Sequence, residues 1–165
     1  MKRLIALVAG LALVPLVGFI PTAGAIGAGT CTISGTIAFE PATGPYMQGI
    51  WHIRPGAIDC KGAYKGPDYF TGQGPFTGTG TYKVLPSGTG TCVHQVGEGS
   101  VDYTVRTNAG QYNLTEKSEF VLAGAGKFTT PSLNGSFVIP PPYEGDCITT
   151  PVTRATFVAQ VLLAR

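Results

Sequence analysis

The sequence predicts an all-β domain: an antiparallel up-and-down barrel of about eight to ten strands, with a two-sheet sandwich as the alternative. Three observations carry this. Several segments alternate apolar and polar residues with period two, as a strand with one buried face must. Gly and Pro, 24 and 13 of 165 residues, break the chain at short intervals and leave no room for long helices. The last apolar segment, Ala155–Ala164, can pair with the first strand, and closing a meander on itself removes its exposed edges.

The first strand is Thr32–Phe39, where Ile33, Ile37 and Phe39 share a face with Gly35, and Thr32, Ser34 and Thr36 face the other way. Glu40–Pro45 turns the chain on Pro and Gly grounds. Gln48–Arg54 returns, with Trp51 and Ile53 on one face and His52 on the other. Lys61–Gly78 mixes Gly and Pro with Tyr64, Tyr69, Phe70 and Phe76, and reads as a long irregular loop holding at most one short strand. Gly78–Leu85 is a strand, Pro86-Ser87-Gly88 turns it, and Thr91–Val96 follows, ended by Gly97-Glu98-Gly99. Val101, Tyr103 and Val105 then alternate with Asp102, Thr104 and Arg106 up to a turn at Asn108-Ala109-Gly110. Gln111–Ala123 continues, with Tyr112 and Leu114 on one face, to a turn at Gly124-Ala125-Gly126. Lys127–Thr130 and Ser136–Ile139 are two short strands, or one broken near Pro131. Pro140–Pro142 reads as extended polyproline. In the final strand Ala155, Phe157, Ala159, Val161 and Leu163 share a face. Glycines within strands, such as Gly35 and Gly80, suit the bends of a small barrel.

The N-terminus predicts export. Lys2 and Arg3 precede an apolar run, Leu4–Ile20, and Ala23-Gly24-Ala25 offers a small-x-small cleavage site. Residues 1–25 are read as a signal peptide cut between Ala25 and Ile26, with Ala28 as the other site, and residues 26–165 as a single secreted domain. The run is short for a membrane span and is interrupted by Gly10, Pro15 and Gly18, so no stable insertion is expected after cleavage. Ala28-Gly29-Thr30-Cys31 is a poor lipoprotein site. Without Lys2 and Arg3, the 11 basic residues fall to nine against nine acidic ones, which gives nucleic acid no electrostatic footing.

Cys31, Cys60, Cys92 and Cys147 form an even set, and in an oxidising compartment they predict two disulfides. Cys31 and Cys60 are nearly equidistant from Gly44-Pro45-Tyr46, which favours Cys31–Cys60 with Cys92–Cys147. Cys60 and Cys92 are as symmetric about Gly74-Pro75-Phe76, so Cys60–Cys92 with Cys31–Cys147 is the rival. No close pair of cysteines exists to share a zinc ion.

The segment Cys31–Phe39 (CTISGTIAF), the segment Gly74–Thr81 (GPFTGTGT) and the four spread cysteines resemble small secreted actinobacterial β-rich proteins of unknown function. The resemblance loosely covers most of the chain after the leader. It implies an exported β-rich domain and supplies no catalytic residues.

Chemistry is sparse. There are two histidines, His52 and His94; Ser87 or Ser100 with His94 and Asp102 can be written as a triad, but no Gly-x-Ser-x-Gly elbow supports it. Glu116 and Glu119 fall on opposite faces of a strand, and Gly99 reads as a turn between Glu98 and Asp102. Glu144-Gly145-Asp146 lacks the dense oxygen ligands of a calcium loop. Gly72–Phe76 has no helix behind it to bind phosphate. The sequons at Asn113 and Asn134 are short patterns read as chance. No catalytic residue, metal or cofactor is therefore expected. The aromatics Tyr46, Trp51, Tyr64, Tyr69, Phe70 and Phe76 are the candidate ligand-facing group, and they equally suit the closing of one end of the core. The leading expectation is a non-catalytic domain that binds a small ligand or a cell-surface partner. A structural cell-envelope protein without ligand and a small extracellular enzyme, a hydrolase or barrel cyclase, are the alternatives.

Overall fold

The computed structural model describes residues 29–43, 48–64, 66–85, 94–123, 125–142, 144–145 and 149–163. The leader with its Ala25–Ile26 site, Tyr46, Ser87, Cys92, Asp146 and Cys147 lie outside these residues.

Eight strands form a closed barrel in which each pairs antiparallel with its neighbours in chain order: β1 (Gly29–Thr43), β2 (Gln48–Lys61), β3 (Phe70–Val84), β4 (His94–Thr107), β5 (Gly110–Ala123), β6 (Ala125–Thr129), β7 (Leu133–Val138) and β8 (Val152–Leu163). β8 closes the barrel on β1, with Cys31 opposite Val161 and Ile33 opposite Ala159. The up-and-down barrel is the predicted fold, and the sandwich is excluded. Among the described residues no helix is long and apolar enough to cross a membrane. Most apolar side chains point inward and most charged ones outward, the reverse of the pattern of a membrane-spanning barrel.

Four local readings are corrected. β2 does not stop at Arg54 but continues to Lys61 through a register shift between Ile53 and Ala57, at a cis Arg54–Pro55 bond. That shift changes the inward parity from Trp51 and Ile53 to Ile58 and Cys60. The segment read as a loop over Lys61–Gly78 is a loop only to Tyr69; from Phe70 it is β3. Gly97-Glu98-Gly99 does not turn the chain but runs through the middle of β4. Pro140–Pro142 contains a cis Pro141–Pro142 bond and so is not a continuous polyproline helix.

The glycines of β3 and β4 are explained by what lies over them. Trp51, Gly80, Gly99 and Ser118 form one row of partners across β2–β5. The Trp51 indole lies on this glycine floor: a Cβ on Gly99 would stand 2.7 Å from its ring, and one on Gly78 3.0 Å. The Phe120 ring covers Gly97 in the same way, and the Phe137 ring covers Gly126. Large rings therefore fill a narrow barrel by packing against bare backbone. Trp51 is 2 % exposed, and its indole N–H donates to the Thr81 carbonyl at 3.1 Å, which satisfies the one polar atom buried with the ring.

Cys31 and Cys60 are direct cross-strand partners, Cα atoms 4.0 Å apart, and are joined by a disulfide. The rival pairings of these two residues are thereby excluded. At the same end of the barrel, Tyr64 and Phe70 pack with ring centroids 5.1 Å apart and Tyr64 and Tyr112 with centroids 5.3 Å apart, while Tyr69 and Asn108 exchange hydrogen bonds. β6 and β7, five and six residues long, are far shorter than their neighbours. β6 reaches only Glu119–Ala123 of β5.

Candidate functional site

The barrel interior has two chemically distinct parts. Toward the end where β1 finishes and β2 begins lies an apolar cavity of about 50 Å³. Its walls include Phe39, Trp51, Phe76, Phe120, Phe128 and Phe157, with Gln95 as the polar member of the lining. These side chains arrive by simple alternation: β1, β2 and β4 present odd-numbered residues there, β3 and β5 even-numbered ones.

Further along β5, the inward positions become polar. Glu116 accepts a hydrogen bond from the Tyr103 hydroxyl at 2.9 Å, and others from the hydroxyls of Thr130 and Ser132 and from the Ser132 amide. The Thr130 hydroxyl also accepts from the Leu133 amide at 2.9 Å. One carboxylate thus ties β4 and β5 to the turn between β6 and β7. Burial alone would raise the pKa of Glu116, but donors from Ser132, Thr130 and Tyr103 outweigh it and hold the carboxyl below its ordinary value. Burial, reinforced by the bond to Glu116, pushes the Tyr103 phenol well above its ordinary range. A carboxylate with so many donors is a poor proton acceptor, so the cluster is built as a latch rather than as a general base.

Ser118 lies between the two parts. It is 3 % exposed, and its hydroxyl has no hydrogen-bond partner among the described residues.

The expected aromatic group divides. Trp51 and Phe76 line the cavity. Tyr64 and Phe70 are buried at the disulfide end, and Tyr69 is exposed there. Neither histidine lines the cavity. His52 faces outward between the Thr79 hydroxyl, 3.1 Å from Nδ1, and Glu40, 3.9 Å from Nε2. His94 opens β4 eight residues from Asp102, roughly 26 Å along a strand, so these two do not meet. Asp102 instead accepts from the Thr115 hydroxyl at 2.6 Å. With no turn at Gly99, Glu98 and Asp102 share the outer face of β4, and Glu98 stands opposite Glu119. Glu116 and Glu119 do face opposite ways. A broad concavity of about 800 Å³ spans β2–β5 and includes Ile50, Lys83, Glu98, Glu119 and Val121. Among the described residues no group of three His, Cys, Asp or Glu could hold a metal ion.

Sequence reasoning missed Glu116, Ser118, Phe120 and Gln95 as interior residues. The signal for the β5 residues was present: Tyr112 and Leu114 mark the apolar face, and continuing by twos reaches 116, 118 and 120.

No family model, curated protein or solved structure matches the chain.

Proposed function

We propose that the chain is an exported, non-catalytic β-barrel that takes a slender apolar ligand into its interior. The observation that carries this reading is the cavity walled by aromatic and aliphatic side chains. Support for export comes from the leader and from the Cys31–Cys60 disulfide, a bond that persists in oxidising compartments. The second staple is Cys92–Cys147. The strands that lead to these residues, β3 and β7, both finish at the barrel end opposite Cys31–Cys60. The non-catalytic reading rests on Glu116 being committed to its neighbours and on the histidines standing away from the cavity.

The size of the cavity favours a second reading, a structural cell-envelope domain without ligand. At about 50 Å³ it holds a few non-hydrogen atoms before side chains move. Engineered apolar cavities that admit benzene are nearer ~150 Å³.

Native mass spectrometry of the protein from its own culture medium separates the two. An extra mass that survives desalting supports the carrier. A bare chain from Ile26, four hydrogens light, supports the leader cleavage and two disulfides and moves the conclusion to the structural domain.

A further inference from the structure

We propose that Ser118 is the polar anchor of the interior site, and that it selects a slender neutral molecule carrying one hydroxyl or carbonyl oxygen. This inference rests on the carrier reading above and adds the chemistry of the ligand.

Ser118 points inward on the same face of β5 as Phe120 and Leu122; those two line the cavity, and Ser118 stands just beyond its lining. It stands one inward position beyond Phe120, roughly 7 Å along the strand. Among the described residues its hydroxyl is buried without a partner, which a folded chain tolerates only at a cost in stability. Its row neighbours are Gly99 and Gly80, which bring no side chain to bond it. The next residue of the row is Trp51, whose indole N–H is already given to Thr81. A ligand oxygen at this point would satisfy the hydroxyl while the rest of the molecule lay among Phe120, Phe76 and Trp51.

The next inward position in the other direction is Glu116, and its pKa is held down, so it is ionised at neutral pH. A carboxylate head beside it would meet like charge in surroundings of low dielectric. Fatty acids are therefore the wrong class, and neutral alcohols, phenols or ketones the right one.

Trp51 is the only tryptophan and lines the cavity, so its fluorescence reports occupancy. The full exported chain is titrated with 1-hexanol, hexanoate and hexane, as wild type and as Ser118→Ala. The expected result is that Ser118→Ala weakens hexanol roughly three- to tenfold, the worth of one hydrogen bond, and leaves hexane unchanged. Hexanoate binds more weakly than hexanol to the wild type. The variant removes an unsatisfied group, so its melting temperature without ligand should hold or rise. A fall would mean that the hydroxyl already has a partner, and would overturn the proposal. Equal hexanol affinity in both proteins, with hexane binding, overturns the anchor and leaves the carrier standing. No fluorescence response to any of the three overturns both.

Discussion

Replacing Glu116 tests the latch across β4, β5 and the β6–β7 turn. In Glu116→Ala the Tyr103 hydroxyl loses its acceptor on a residue only 2 % exposed. Stranding it costs about 1–3 kcal/mol. The hydroxyls of Thr130 and Ser132 and the Ser132 amide lose charged acceptors too, but lie nearer water and recover part of that loss. The expected destabilisation is roughly 3 kcal/mol, or about 10 °C in melting temperature for a domain of this size. Tyr103→Phe removes the phenol together with its need for a partner, and should cost only about 1.5 kcal/mol. The double variant should lie close to Glu116→Ala alone, because the stranded hydroxyl is then gone. Urea unfolding of the three proteins measures this. A loss below ~1 kcal/mol for Glu116→Ala, or strict additivity in the double variant, would refute the latch. The sign with pH is fixed as well. The folded pKa of Glu116 lies below its ordinary value of 4.5, so its contribution is present above that value. It is lost as pH falls through the lower folded pKa. Tyr103 is shifted the other way from 10.0, so its contribution is present below that pH and lost as pH rises beyond it.

Reducing the Cys31–Cys60 disulfide should lower stability: the bridge spans a sequence separation of 29 residues and contributes roughly 3–4 kcal/mol through the unfolded chain. A melting temperature unchanged by dithiothreitol would count against that role. Gly99→Ala should destabilise by more than ~2 kcal/mol, because the new methyl meets the Thr79 carbonyl, the Gly80 backbone and the Trp51 ring at once. Wild-type stability and unshifted tryptophan emission in that variant would show that the ring does not rest on the glycine floor. Removing the outward His52 imidazole (His52→Ala) should change stability by less than ~0.5 kcal/mol, since Glu40 and Thr79 stay in water. A larger loss by thermal melting would assign that trio a structural role.

The barrel was legible because alternation survives wherever side chains carry it. β1, the second half of β4 and β8 read correctly from Ile33, Tyr103 and Phe157 and their neighbours. Hairpin symmetry favours the Cys31–Cys60 link, since antiparallel partners lie equidistant from their turn, but it suits Cys60–Cys92 as well, and only the barrel register decides between them. Reading failed where glycine replaced the inward residue. Gly97 and Gly99 carry no side chain to mark a face, and the rings that cover them come from β5 and β2. Local sequence cannot distinguish a glycine that turns the chain from one that makes room for a distant ring. β2 does not read as one strand for a related reason: the bulge at Pro55-Gly56 changes parity, so Trp51 and Ile58 are both inward though they stand an odd number of positions, seven, apart. The interior polar residues belong to no sequence motif. Glu116 and Ser118 acquire meaning only from Tyr103, Ser132 and Gly99, which the fold brings beside them.

The shortness of β6 and β7 gives the wall one seam that is easier to part than the rest. Local opening follows the weakest ladder, and here that ladder joins β5 to a five-residue strand. Amide protons of β6 and β7 should therefore exchange with solvent before those of β2–β4, through breathing that leaves the remainder of the barrel intact. The Glu116 latch sits at one end of that seam and the Phe120–Phe128 pair lies within it. On the carrier reading proposed above, a guest would enter through such a door, and amide exchange at Phe128 would report how often it opens.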